Sequence, residues 1–334
     1  MGTDARPTPT LVLTRSDVLA LLTLPECITA VEDAFCRHAE GRTLAPGVLG
    51  IDADGGGFHI KAAGLVGEPA YFAAKTNANF PGNARGGRPT IQGTVLLADA
   101  RTGAPLAVMD SGSITALRTA AATAVAAKFL ARPDARAATV VGCGVQGEIQ
   151  LAALAAVLPL ERAWAIDPVA GRAAAFAVRA QQRLGLRAEP SDDLPAALRR
   201  SQVAVTCTPA RRPLLWRADV PAGMFIAAVG ADSQGKQELE PALVATATLV
   251  VDLLEQCVEI GELQHALAAG LTTRDRVHAE LADVVSGRRP GRTRPDEITV
   301  FDSTGTALQD VAAAVVVYEK ARATGRGLEV RFDG

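Results

Sequence analysis

The sequence predicts an α/β protein: a Rossmann-type doubly wound parallel sheet plus a second α+β region. Three patterns carry the fold class. After Ala131, short β-branched apolar runs alternate with helix-compatible stretches, which implies a parallel sheet covered on both faces. Ala138 to Gln150, A-T-V-V-G-C-G-V-Q-G-E-I-Q, is an apolar run that breaks into spaced glycines and then turns helix-compatible. From Gly57 to Asp110 the pattern is instead a set of strand-like runs separated by Gly, Pro and Asn, which implies a mixed, largely antiparallel sheet.

The glycine stretch reads as strand, tight turn, helix. Gly142 lets the chain leave the strand sharply, Gly144 lets main-chain amides approach a pyrophosphate, and Gly147 lets the helix lie close to the strand. The helix N-terminus adds free N–H groups that favour an anion. Ala163 to Ile166 forms a second apolar run ending in Asp167, 25 positions after Gly142, where an acid can accept ribose hydroxyls. The competing reading is an ordinary βα turn with a solvated aspartate.

Length and composition limit the alternatives. A chain of 334 residues makes one large or two medium domains, and 49% hydrophobic with 21% charged residues is a globular balance. A formal net charge of −2 offers no general attraction to nucleic acid or to an anionic membrane. No apolar run is long enough to span a bilayer, even Ala312 to Tyr318. Met1 to Thr10, rich in Pro and Thr, has no signal-peptide pattern and reads as a loose tail. The expected location is cytoplasmic. Cys27, Cys36, Cys143, Cys207 and Cys257 are odd in number, far apart and without a C-x-x-C pair, so reduced thiols are expected. His38, His59, His265 and His278 show no metal-ligand spacing, and no metal is expected.

Taken in order, Leu11 to Gly41 reads as one helix after a short extended start, with Ser16 or Asp17 as cap and Ile28, Val31 and Phe35 on one face. Strands are expected at Phe58 to Ala63, Ala70 to Asn77, Ile91 to Ala98 and Pro105 to Asp110, with a hairpin turn at Asp99 to Gly103. Ser111 to Ala131 is an alanine-rich helix opened by Ser111 or Ser113. Arg118 sits near its start, where it could hold a phosphate or carboxylate; otherwise it is a surface arginine.

Further strands fit Thr139 to Val141, Ala163 to Ile166, Val203 to Cys207, Phe225 to Val229, Leu249 to Asp252 and Ile298 to Phe301. Helices fit Glu148 to Val157, Ala170 to Leu184, Leu194 to Arg199, Cys257 to Ala269 and Ala279 to Val285. A ligand would then sit at the carboxyl ends of the strands. Arg288 to Arg294 reads as a solvated basic loop. Thr306 to Thr324 is a last helix that packs back on the first region. The expected domains are 1–131 with 306–334, and 132–305, which carries the dinucleotide turn.

M-D-S-G-S-I-T-A-L-R-T-A-A (Met109 to Ala121), G-C-G-V-Q-G, V-G-A-D-S-Q-G-K-Q-E-L (Val229 to Leu239) and F-D-S-T-G-T-A-L-Q-D (Phe301 to Asp310), in that order, resemble the ornithine cyclodeaminase and mu-crystallin family over nearly the whole chain. The resemblance implies a Rossmann domain beside a substrate domain through which members form homodimers. Known activities in the family are ornithine or lysine cyclodeamination, alanine dehydrogenation, reduction of cyclic ketimines and, in mu-crystallin, thyroid hormone binding.

The resemblance also implies roles. With Gly142, Gly144 and Gly147, Val145 and Gln146 match the backbone turn over the pyrophosphate, and Asp167 matches the ribose acid. Thr90, Arg118, Thr208, Val229, Lys236 and Ser303 match positions near the cofactor, Arg118 being close enough to hold a substrate carboxylate instead. Lys75 matches a substrate-contacting, catalytic lysine, Asp232 the general acid/base and Thr304 a residue touching substrate. Where many members carry an arginine for the carboxylate, this chain has Val48; where they carry methionine, it has Lys61. A cation has then moved one strand over, or Lys61 is a strand-edge lysine in water.

These residues suit hydride chemistry at an α-carbon. Lys75 and Arg118, helped by Lys61, would fix a carboxylate, and Asp232 would activate water or protonate an imine nitrogen. NAD is expected rather than NADP, because Asp167 would repel a 2′-phosphate and Pro168 follows it; Arg172, five positions on, could reach round. The reading is a homodimeric oxidoreductase acting on an amino acid, keto acid or imine. V-G-A-D with K-Q-E-L favours it over redox-neutral cyclodeamination. A mu-crystallin-like binding protein without turnover is the other alternative.

Overall fold

The computed structural model describes residues 9–332. The Pro- and Thr-rich start up to residue 8 lies outside the described residues, whereas Thr10, grouped with that tail on sequence, opens a strand. The chain forms two compact units, one ending at Arg118 and resuming at Thr306, the other Thr119–Gly305. The division falls inside helix Ser111–Leu130.

The first unit holds a seven-stranded sheet in the order Leu328–Val330, Thr10–Leu13, Pro105–Asp110, Ile91–Asp99, Tyr71–Asn79, Gly56–Leu65, Thr43–Ala53. Every neighbouring pair is antiparallel except Thr10–Leu13 beside Pro105–Asp110. Side chains alternate across a strand, so Tyr71, Ala73 and Lys75 share one face of theirs, and all three are buried. Register then aligns Val48, Lys61, Lys75, Val95 and Met109 as one row across the sheet. Directly opposed residues of an antiparallel pair point to the same side, which brings the stems of Lys61 and Lys75 together. Helices Leu24–Ala39 and Ala307–Thr324 pack on each other, and the latter also lies on strands Gly56–Leu65 and Tyr71–Asn79.

The short extended start is strand Thr10–Leu13, and the one helix expected after it is two, Arg15–Leu21 and Leu24–Ala39. The break comes from two successive capping boxes, Thr14 with Asp17 and Thr23 with Glu26, each stopping one helix and starting the next. Ser16 and Asp17 are therefore not the N-cap residues. Strand Thr43–Ala53 went unseen because it has no buried face to impose alternation, and it carries Pro46 and Gly47 at a register shift. Helix Ser111–Leu130 is opened by neither serine: the Asp110 carboxylate accepts the Ser113 N–H at 2.8 Å.

In the second unit eight parallel strands lie in the order Ala279–Glu280, Thr248–Val251, Thr299–Asp302, Phe225–Ala228, Val203–Thr206, Ala137–Val141, Arg162–Ile166, Arg187–Pro190. From Ala137–Val141 the chain steps outward twice, then returns to the other side of that strand at Val203–Thr206. Strand order reverses there, which is where an open α/β sheet leaves a crevice at its carboxyl edge.

The helix expected at Cys257 to Ala269 is two, Leu254–Ile260 and Leu263–Ala268, and Ala279 to Val285 starts as a two-residue strand before helix Leu281–Val285. Strands Arg187–Pro190, Arg211–Leu215 and Gln237–Leu239 are too short to show alternation in sequence. The basic loop is more than solvated: half-buried Arg292 donates to the carbonyls of Leu130 and Glu297 and to the Thr299 hydroxyl.

Phe35, fully buried in the first unit, sits on the face where Ile28 and Val31 are buried too. Replacing it by alanine removes most of a large side chain from a packed site. Phe35→Ala should cost about 3–5 kcal/mol of unfolding free energy, read from the shift in a urea unfolding midpoint.

Candidate functional site

The glycine turn leaves strand Ala137–Val141 through Gly142, whose φ of 103° disfavours any side chain. A Cβ there would also stand 2.9 Å from the Cys207 carbonyl oxygen and 3.0 Å from the Thr208 methyl. At Gly147 a Cβ would come within 2.1 Å of the Gly142 oxygen, so helix Val145–Val157 can lie this close to the turn only with glycine. Gly144 differs: it is the N-cap of that helix, without a side-chain cap bond, and a Cβ on it would meet open space. The first-turn amides at Val145 and Gln146 thus have room before them for an anion.

Asp167 is no solvated turn residue. Its side chain is almost fully buried, and its two oxygens accept the N–H groups of Cys143 and Val169, each at 2.9 Å. Each oxygen keeps a lone pair for a further donor. Arg172 comes round to within 3.6 Å. Val229 and Ser303 lie at the ends of neighbouring strands, their amides bonded to Thr206 O and Ala228 O. The Ser303 hydroxyl is 2% exposed and has no hydrogen-bond partner among the described residues. A dinucleotide fits this set: open space at Gly144, an uncapped helix N-terminus, a fixed acid and an unsatisfied buried hydroxyl.

Other positions are differently disposed. Asp232 is half-exposed and pairs with Lys236 at 2.5 Å, in the loop after strand Phe225–Ala228. The Thr304 hydroxyl donates to Asp252 at 2.8 Å and accepts from Gln256 at 2.7 Å, so it is committed inside the second unit. Thr90 belongs to the first unit, its carbonyl accepting the Phe80 amide.

In the first unit Lys61, Lys75 and Arg118 are all buried, which excludes both the strand-edge lysine and the surface arginine. Their focus is Asp310, at the start of the last helix, which sequence reasoning did not single out. Lys75 Nζ lies 2.8 Å from one carboxylate oxygen and 2.7 Å from the other, and Arg118 Nε 2.9 Å from the first. Arg118 also donates to Gln309 Oε1 at 2.7 Å, while Gln309 Nε2 has no partner among the described residues. The usable sequence signal was Gln309-Asp310 in the otherwise apolar first half of that helix. Burial, the nearby Arg118 and, more weakly, Lys61 push the Lys75 ammonium down to about 7, against the pull of Asp310. Burial pushes Asp310 up, but Lys75 and Arg118 hold it below its ordinary value. Lys75 and Arg118 thus close on one buried carboxylate, with Lys61 near enough to act electrostatically on both Lys75 and Asp310.

The parallel sheet with its glycine turn and strand-end acid defines a Rossmann-type α/β protein. The chain belongs to the ornithine cyclodeaminase/mu-crystallin family, whose model matches residues 8–325. It is similar to an archaeal alanine dehydrogenase dimer with bound NAD, at 38% identity over 97% of this chain and 99% of the other, TM-score 0.93. The Δ1-pyrroline-2-carboxylate reductase of Thermococcus litoralis, in complex with NADH and L-proline, is 34% identical over 96% and 100%, TM-score 0.92. The iminosuccinate reductase of Paracoccus denitrificans, with NAD+, is 35% identical over 97% and 100%, TM-score 0.87.

Asp310→Asn would leave Lys75 and Arg118 buried beside a neutral amide. Removing one partner of a buried ion pair costs about 3–5 kcal/mol. The variant should show a correspondingly lower chemical unfolding midpoint.

Proposed function

We infer that this protein is an NAD(H)-dependent oxidoreductase acting on an α-amino acid or its imine, in the manner of an alanine dehydrogenase or ketimine reductase. The observation that carries the reading is the buried excess of basic side chains around Asp310, a carboxylate anchor, in a chain that also holds a dinucleotide turn. Lys75 and Arg118 grip the substrate carboxylate, with Lys61 contributing from the adjacent strand in the place of the absent arginine, and Gln309 Nε2 is a donor still open to it. When bound, the nicotinamide gives a hydride to, or takes one from, the substrate α-carbon.

Gly142, Gly144, Val145, Gln146, Gly147, Asp167, Thr208, Val229 and Ser303 form the cofactor set in the second unit. The Asp167 carboxylate disfavours a 2′-phosphate, so the cofactor is NAD. The first unit, with the last helix, binds substrate. It also dimerises, through the edge strand Thr43–Ala53 that exposes Leu44, Val48, Leu49 and Ile51. A reducing, cytoplasmic setting accords with five free cysteines, and no helix among the described residues is long and apolar enough to cross a membrane.

Two groups can handle the proton. Asp232 is accessible to water and held by Lys236. Lys75, brought down to about 7, exchanges its proton near neutrality. Arginine in its place keeps the charge but gives up no proton. Lys75→Arg should therefore lower kcat by about 10²-fold or more if Lys75 transfers the proton, with the substrate KM changed far less. Asp232→Asn, assayed in parallel, assigns the role to the other group if it alone abolishes turnover.

The pH dependence has a definite sign. Below about 7 Lys75 is cationic, and above it the anchor loses one positive charge. The KM for a carboxylate substrate should rise as pH increases through that value, in steady-state profiles at saturating cofactor.

The direct test follows NADH absorbance with pyruvate plus ammonium, pyruvate plus methylamine, and a cyclic ketimine carboxylate. An ammonia assay on ornithine and lysine with catalytic NAD runs beside it. NADH consumption with any imine-forming pair supports the reading. Ammonia from a diamino acid without net change in NADH overturns it in favour of cyclodeamination, and binding without turnover in favour of a mu-crystallin-like binder.

A further inference from the structure

Among the buried carboxyl groups of the second unit that the proposed chemistry leaves unused, three form a relay and a fourth caps a neighbouring loop. Glu238 accepts the amide of Thr208 on one oxygen, at 2.7 Å, and that of Gly230 on the other, at 2.8 Å. Glu262 accepts the amides of Glu238 and Leu239 at 2.7 and 3.0 Å. Asp302 accepts those of Glu262 and Leu263 at 3.0 and 2.9 Å. The fourth, Asp252, holds the amide of Gly305 at 2.6 Å together with the Thr304 hydroxyl. Glu238, Glu262 and Asp302 are wholly shielded from solvent, and Asp252 nearly so. Burial pushes Glu238 and Glu262 upward and Asp302 to about 7, so each is held at an electrostatic cost that its amide donors offset.

Two independent features tie the relay to the strand-end loops. The backbone makes room for the carboxyls: a Cβ at Gly230 would lie 2.4 Å from the Glu238 carboxyl carbon, and one at Gly261 2.5 Å from an Asp302 oxygen. The relay also runs along one side of the crevice, from the loop that touches the glycine turn to the strand end that carries Ser303. Thr208, held by Glu238, packs against Gly142 of the glycine turn, and Asp302 precedes Ser303, whose buried hydroxyl has no partner among the described residues.

We propose that Glu238 is a positioning residue for the dinucleotide, fixing the loops after strands Val203–Thr206 and Phe225–Ala228, and through Thr208 the glycine turn, with Glu262 and Asp302 fixing Glu238 in turn. This rests on the reading of the second unit as the NAD-binding one. A glutamine of equal size has one acceptor oxygen and one donor NH2. It can take only one of the two amides and faces the other donor to donor.

Glu238→Gln is the test, read by NADH fluorescence titration, steady-state kinetics and thermal unfolding. The NADH dissociation constant should rise about tenfold, the loss of one amide bond to a carboxylate. The melting temperature should fall by no more than the loss of one buried hydrogen bond, with unfolding still cooperative, and the substrate KM at saturating NADH should stay near that of the parent. Gly230→Ala, which presses a methyl onto the same carboxyl, should weaken NADH in the same way. If the parent binds NADH and Glu238→Gln binds it equally well, the positioning role is overturned while the cofactor reading stands. If NADH affinity, substrate affinity and melting temperature fall together in both variants, Glu238 is a folding element only. If the parent itself binds no NADH, both readings fail.

Discussion

The carboxylate of Asp310 lies between Lys75 and Arg118, and the first unit is arranged around that contact. It joins the interior strand Tyr71–Asn79, helix Ser111–Leu130 and the last helix through one buried group. Each of the three charges alone would be prohibitively costly to bury, and together they are tolerable only because the geometry is close. The same arrangement leaves more basic groups than acidic ones. Burial above all, then the nearby Arg118 and, more weakly, Lys61 bring the Lys75 proton into the neutral range against the pull of Asp310.

The second unit buries carboxyl groups by a different device. Glu238, Glu262 and Asp302 each face pairs of backbone amides, with no lysine or arginine bonded to them. Amide dipoles are fixed by the backbone and cannot swing away as a long cationic side chain can. Such caps therefore suit loops that must hold their shape at the carboxyl edge of a parallel sheet. One unit thus buries its acid among basic side chains, while the other buries its acids against backbone amides. That division matches what hydride transfer to an anchored amino or imino acid demands: an oriented carboxylate and a rigidly held dinucleotide.

Much of the second unit was legible in the sequence because its signals are local. The strand and the Gly142, Gly144 and Gly147 turn lie within one short stretch; Gly142 answers to its positive φ and Gly147 to the Gly142 carbonyl beside it, while Gly144 leaves open space. Asp167 was legible as the acid closing the next strand, although not its bonds to the amides of Cys143 and Val169. In the first unit the capping boxes at Thr14 and Thr23 were equally local and were passed over in favour of an uninterrupted apolar face. The edge strand Thr43–Ala53 carried no pattern to read, since neither of its faces is buried.

The sequence by itself determined the alternation of strands and helices, the glycine turn with its acid, and the residue types for anchoring a carboxylate. Whether Lys61 faced water or the anchor was undecidable there. One residue of register would have turned it to the opposite face, and register depends on strands pairing across the sheet. Asp310 was likewise invisible as a partner, since it lies 235 residues from Lys75 and only folding brings the two into contact. The carboxyl relay has the same origin. An acid among apolar residues reads as a surface charge until the tertiary structure shows which backbone amides close around it.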